Sequence, residues 1–323
     1  MHAIRQYEFG PPSTLRYEKV LDPRPGPGQV RVAVEAAGVH VVDTTIRRGV
    51  EGGPFPLPAL PMTPGREVAG VVDEIGPDVD PGWLGRRVVA HLGQASGGYA
   101  ELALASATRV HAVPDGLSAA GAVAMIGTGR TAAGLLDVAG LTAADVVVVT
   151  AAAGGLGSLF VQAARTTGAT VVGLAGGPDK VERVRALGAD VAVDYRQPGW
   201  PDQVRDALAG RRPTVVLDGV GGTAGRDVFE LLGPGGRLVR FGWSSGAPAE
   251  ITSEEFDTRG VTDVAVTGRQ FIPRLPELEA AALGRAGRGV WRPLVQEFPL
   301  GAAAGAHHAI ETRATTGKVV LVP

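Results

Sequence analysis

The sequence predicts an α/β protein of two domains, one β-rich and one a doubly wound parallel sheet with helices on both faces. Three observations predict it. A chain of 323 residues exceeds what one hydrophobic core usually organises. Its first part carries short alternating strands between Pro/Gly clusters. Its middle part alternates continuously apolar strands with helices, the pattern of a parallel sheet covered on both faces.

In the first 120 residues the strands are Val30-Arg31-Val32-Ala33-Val34-Glu35, Val68 to Ile75 and Val88 to His91. Turn clusters punctuate them at Pro23 to Gly28, Gly52 to Pro64 and Gly76 to Gly82. Such spacing suggests a mostly antiparallel domain. From about residue 121 the rhythm changes. Val146 to Thr150 is an apolar strand, and Gly155 to Thr167 a helix closed by Gly168. Thr170 to Leu174 is the next strand, and Pro178 to Leu187 a helix closed by Gly188. Val191 to Val193, Thr214 to Leu217, Arg237 to Phe241 and Val261 to Val266 supply further strands, with helices near Asp202 to Leu208 and Ala224 to Leu232. After residue 270 come a helix, Pro276 to Ala286, and a last strand, Lys318 to Val322. This tail of roughly 50 residues is too short for a domain. It is expected to return and complete the first, giving domains of 1–120 with 271–323, and of 121–270.

Composition narrows the function. Hydrophobic residues at 45% and charged residues at 20% suit a folded, soluble chain. A formal charge of −2 leaves no footprint for nucleic acid or an anionic membrane. The absence of cysteine excludes disulfides, thiol nucleophiles and zinc sites built on thiolates. The start, Met1 to Gln6, lacks an apolar signal region, and no uncharged apolar run reaches the ~18 residues of a membrane span. A cytoplasmic protein is expected.

Strand Val146 to Thr150 runs into Ala151-Ala152-Ala153-Gly154-Gly155-Leu156-Gly157, and a helix follows. A dinucleotide fingerprint needs a turn residue, a glycine for approach of the pyrophosphate and a glycine for helix packing. Ala152, Gly154 and Gly157 fill these places, and the anion would meet the open N–H groups of the helix N-terminus. NAD-selective sites usually add an acid about 20 residues on. Here that strand ends at Leu174-Ala175-Gly176-Gly177, Lys180 follows, and Tyr195 and Arg196 lie beyond the third strand. An ammonium attracts a 2′-phosphate that a carboxylate would repel. Lys180 is also one of only three lysines among 31 basic residues. NADP(H) is the cofactor expected. Asp179 speaks against this, since it could reach a ribose, but its expected task is to favour the N-terminus of its own helix.

An ordered set of short motifs runs through the chain. They are Phe9-Gly10-Pro11-Pro12, Pro25 to Val30, Ala36-Ala37-Gly38-Val39 with Asp43, Pro64 to Gly70, and Gly97 to Glu101. Ala151 to Gly157, Val193 to Arg196, Asp218 to Gly222 and Phe241-Gly242 follow, and then Ala306-His307 through Ile310-Glu311 to Thr315–Pro323. With these the whole chain resembles the zinc-independent quinone oxidoreductases, the zeta-crystallin-like branch of the medium-chain dehydrogenase/reductases. The resemblance implies a GroES-like substrate domain and a Rossmann cofactor domain. It implies NADPH contacts at Lys180 and Tyr195 for the 2′-phosphate, with Gly176, Arg196 and Val220 beside the nucleotide, and at Gly154, Gly155, Leu156 and Gly157 for the pyrophosphate. Thr131, Phe241, Gly242 and Ser244 would lie near the nicotinamide, with Arg313 and Lys318 closing from the tail. Zinc-dependent relatives place metal ligands where this chain has His40, Arg66 and Thr128, a set that holds no zinc. Against the family pattern stand His40, Thr45, Arg130 and Trp243, all of which could face the substrate.

Without a Lewis acid, the chemistry that fits is hydride reduction of a conjugated carbonyl acceptor, a quinone first, or an enone, an enal or a pathway-specific enoyl substrate. His40 is the candidate proton donor, with a cleft-lining structural role as the alternative. Arg130 would offset an oxyanion or form a plain salt bridge; Asp43 would orient a neighbour or serve a turn; Thr45 faces the same side. His307 and His308 are expected to be structural. The remaining alternative is a non-catalytic protein that binds NADPH or RNA, and the lack of a basic stripe speaks against RNA. A homodimer joined through the edge strand Val261 to Val266 is expected, mainly from the resemblance.

Overall fold

Four consecutive valines, Val146–Val149, are all buried, which marks a strand covered on both faces. The computed structural model, which describes residues 1–51, 56–93 and 96–323, places this strand inside a six-stranded parallel sheet. The first four positions of the Pro/Gly cluster at 52–64 lie outside the described residues. The chain divides into two compact units, Met1–Gly129 with Glu279–Pro323, and Arg130–Leu278.

In the unit Arg130–Leu278 the strands lie in the order Val191–Asp194, Thr170–Ala175, Val146–Val149, Val215–Asp218, Arg237–Arg240 and Thr262–Ala265, every pair parallel. The winding reverses between Val146–Val149 and Val215–Asp218, the kind of switch point at which such sheets receive ligands. Phe229, Phe256, Trp200, Leu174 and Leu238 fill one core of this unit. Helix Gly155–Thr167 ends at Gly168, whose φ of 87° is a left-handed cap that glycine adopts without penalty. Helix Pro178–Ala186 opens with proline, whose missing N–H costs nothing in a first turn. Thr262–Ala265 is mostly exposed, as an edge strand.

The other unit is built on a second sheet, in the order Val295–Pro299, Lys318–Val322, Gln29–Val39, Glu67–Ile75, Arg87–His91 and Val110–Ala112. Leu102–Ser106 also pairs with Gln29–Val39. Apart from the parallel pair Val295–Pro299 and Lys318–Val322, these pairings are antiparallel. The tail strand therefore lies within the sheet, against Gln29–Val39. Val30, Val32 and Val34 alternate into the core, and the strand then continues to Val39 with Ala36, Ala37, Gly38 and Val39 all buried. Small residues here let helix Ala119–Ala124 lie close. A separate antiparallel ladder, His2–Gln6 with Leu15–Lys19, was not anticipated, because the charges of the second strand mask its alternation. Among the described residues no helix is long and apolar enough to cross a membrane.

Candidate active site

In the unit Arg130–Leu278, the turn after Val146–Val149 is held by Ala152 N–H donating to the Leu174 carbonyl at 2.8 Å and Gly154 N–H to that of Ala151 at 2.8 Å. Gly154 caps helix Gly155–Thr167 with no side chain on its first N–H groups. These remain available to an anion. A Cβ on Gly157 would overlap the Ala151 carbonyl and come within 2.7 Å of Ala152 Cα. Only glycine lets the helix start this close to the turn. Gly155 and Leu156 form the same half-buried first turn.

At the end of strand Thr170–Ala175, Gly176 leaves room for two side chains from beyond the third strand. A Cβ there would meet Arg196 Cδ at 3.4 Å and the Tyr195 hydroxyl at 3.5 Å. The guanidinium of Arg196 lies over Gly177. Lys180, in the first turn of the next helix, is half-buried. Burial, and then the positive charge of Arg196, push its ammonium below the ordinary lysine range. Two cations thus share the strand end where an acid would mark an NAD site. Asp179 sits exposed in the first turn of its helix.

Val220 lies in a buried turn, its N–H donating to Asp218 Oδ1 at 3.0 Å and its carbonyl accepting from Ser245 N–H at 2.8 Å. Phe241 turns its ring into the unit, edge-on to Phe160 at 5.4 Å, and Gly219 lacks the Cβ that would obstruct it. Gly242 is half-buried, Ser244 is exposed and Trp243 is 59% exposed. Arg130 and Thr131 begin helix Arg130–Ala139 and are half-buried.

The other unit holds the remaining candidates. His40 caps helix Val41–Arg47, and Asp43 returns to accept its backbone N–H at 2.8 Å. The same carboxylate accepts from the Tyr99 hydroxyl at 3.2 Å and from Arg66 Nη2 at 3.1 Å. Asp43 therefore serves a turn and orients neighbours at once. Burial and the adjacent Asp43 keep the Tyr99 phenol protonated well above its usual range. His307 contacts the Tyr99 hydroxyl at 3.2 Å, and burial lowers its imidazole to about 4. It is a core histidine, whereas His308 is exposed. Thr45 directs its hydroxyl back to the Val41 carbonyl at 3.5 Å, apart from these groups. Thr128 lies in the π-helical turn Met125–Gly129. Arg313 is exposed in a left-handed turn, φ 56°.

Two residues occupy places that the sequence did not suggest. Glu67, fully buried, lies with Oε1 2.6 Å from His40 Nε2 and Oε2 2.9 Å from Lys318 Nζ. Lys318, expected to close over a nucleotide from the tail, is instead buried in this cluster, 2.8 Å from the same His40 nitrogen. Its place in an inner strand turns the ammonium toward Glu67. Burial pushes the Glu67 carboxyl up, but the charges of His40 and Lys318 outweigh burial and hold it well below the carboxylate range. Burial also lowers the Lys318 ammonium, against the opposing pull of Glu67. Glycines make the space. A Cβ on Gly38 would overlap Glu67 Oε2 and stand 3.1 Å from Lys318 Cε. The sequence carries one signal for it: lysine is rare in this chain, and Lys318 is one of three.

Comparison with known proteins follows the same division. The model of an alcohol dehydrogenase GroES-like domain matches residues 26–115, and that of a zinc-binding dehydrogenase matches residues 155–281. A quinone oxidoreductase of Sus scrofa is 34% identical over 328 residues, covering 100% of this chain and 98% of the relative. A 2-haloacrylate reductase of Burkholderia sp is 32% identical over 338 residues, covering 98% and 97%. The crystal structure of Escherichia coli quinone oxidoreductase complexed with NADPH superposes with a TM-score of 0.87 at 27% identity, over 100% of both chains.

Proposed function

Because this chain belongs to the quinone oxidoreductase-like branch of the medium-chain dehydrogenase/reductase superfamily, we propose that it is a zinc-independent, NADPH-dependent reductase of conjugated carbonyl acceptors, a quinone first among them. One observation carries the reading: Lys180, Tyr195 and Arg196 gather around Gly176 and Gly177 at the end of Thr170–Ala175. Lys180 is half-buried, and Arg196, exposed, also pairs with Asp194 at 3.4 Å; two cationic donors at one strand end suit a 2′-phosphate. The uncapped turn Gly154 to Gly157 fits a pyrophosphate. So placed, the cofactor supplies a hydride.

What remains for the protein is positioning and charge. His40, a quarter exposed, is the group of its cluster that presents an edge outward, and it is the candidate to protonate the oxygen or carbon that gains negative charge. The donors at the positions of a zinc site do not suit a metal. Arg66 is a guanidinium paired with Asp43, and His40 Nε2 faces an ammonium. A second reading is an enone or enal reductase, in which the proton from His40 would go to carbon instead of to the oxygen of a hydroquinone.

NADPH oxidation measured across quinones, enals, enones and 2-haloacrylate, with and without a chelator, tests the proposal. Turnover of at least one acceptor, unchanged by the chelator, is expected. NADPH bound but oxidised by none of them, or turnover abolished by the chelator, would overturn it.

A further inference from the structure

Three neighbouring strands of one sheet bring together groups that are far apart in the chain. The register pairs Val319 with Val39 and Ala37 with Val68. Continued by one residue, it sets Lys318 opposite His40 and Glu67 opposite Gly38. The bare Gly38 lets the Glu67 carboxylate and the Lys318 chain cross over it, and Gly127 leaves the space for Glu67 Oε1. The result is a triangle: Glu67 to His40 at 2.6 Å, Glu67 to Lys318 at 2.9 Å, and Lys318 to His40 at 2.8 Å.

We propose that Glu67 and Lys318 are positioning residues that set, from opposite directions, the pH at which His40 carries its proton. This deepens the reading of His40 as proton donor and rests on it. The geometry gives the two partners opposite signs. The carboxylate at Nε2 accepts from a protonated ring and favours it. The ammonium, equally close to the same nitrogen, disfavours a second positive charge there and donates to the unprotonated ring. A single nitrogen satisfies one of them at a time. Side-chain exposure runs in the order 25% for His40, 4% for Lys318 and 0% for Glu67, which leaves His40 the group that meets a ligand or solvent while the pair acts from behind it. The other charged groups near this cluster are Asp43 on the helix that His40 caps, Arg66 beside Glu67, and His91, the register partner of Glu67 on the adjacent strand.

The test compares Glu67→Gln with Lys318→Met. One removes the negative charge and the other the positive charge, each with little change in size. Ring proton shifts of His40 would be followed by NMR against pH in the cofactor-free protein, the signal being assigned by its loss in His40→Ala. The alkaline limb of kcat against pH would be followed alongside. Glu67→Gln is expected to move the His40 midpoint down by about one pH unit or more, and Lys318→Met to move it up by a similar amount. Lys318→Arg, which keeps the charge, should move it least. Shifts in the same direction, or no shift in either, would overturn the proposal. Should His40→Ala leave kcat untouched, the proton-donor reading fails by itself, while the NMR titration still decides the coupling. If one variant does not fold, Glu67→Ala or Lys318→Gln removes the same charge and carries the same expected direction.

Discussion

Glu67 stands where a side chain of Gly127 would begin: a Cβ there would overlap Glu67 Oε1 and lie 2.6 Å from its Cδ and 3.2 Å from His40 Cε1. Gly127 belongs to the π-helical turn Met125–Gly129, and wide turns of this kind often mark functional places in helices. In an ordinary helix, Gly→Ala is stabilising by about 1 kcal/mol. Gly127→Ala should instead destabilise by about 1–3 kcal/mol, through overpacking against a buried carboxylate. Urea unfolding of the two proteins checks the sign, and a stabilised variant would show that the carboxylate can yield.

His307 makes stability depend on pH. Burial holds its imidazole at about 4, against an ordinary 6.5. Between those values the unfolded chain takes up a proton that the folded one refuses. This contribution is fully present above pH 6.5 and is lost as pH falls toward 4, by about 3 kcal/mol in all. The loss in urea midpoint between pH 7 and pH 4.5 should shrink in His307→Gln. An equal loss in both proteins would assign the effect to other groups.

Cofactor selectivity follows from Lys180. Lys180→Ala should raise the dissociation constant of NADPH at least ~10-fold and leave that of NADH nearly unchanged. Titration of both nucleotides by calorimetry measures this directly. Equal losses would remove the 2′-phosphate argument and leave Lys180 a solvated helix residue.

The exposed edge Thr262–Ala265 bears on assembly. If two copies pair there, Ala265→Pro removes an N–H from the outer side of the edge strand, since Thr262 and Val266 donate inward to Gly236 and Arg240, and it should yield monomers in sedimentation while NADPH still binds. A wild-type protein that sediments as a monomer would dispose of the idea.

The parts of the fold that could be read from the sequence were those set by local signals. Helix Gly155–Thr167 and strand Lys318–Val322 were legible to the residue, because glycine punctuation and apolar runs act within a few positions. The ladder of Leu15–Lys19 was not, since Arg16, Glu18 and Lys19 make it look like a polar loop. In the site, the meeting of Lys180 with Arg196 was foreseeable from the two strand ends that a parallel sheet brings side by side. The cluster behind His40 was not. Its members answer to one another across 278 residues, and nothing in the neighbourhood of either one announces an ion pair.

The threading of the chain has a consequence for synthesis. Lys318–Val322 is an inner strand of its sheet, yet it is made long after Gln29–Val39, against which it pairs. Until it emerges, the leading unit is a sheet with an open interior edge, and Glu67 is an anion without its ammonium. The parallel-sheet unit, continuous in sequence, is free to form first. A product that stops before Lys318 therefore loses an interior strand and the counter-charge of a carboxylate laid down some 250 residues earlier, and it presents an unpaired edge to whatever strand it next meets.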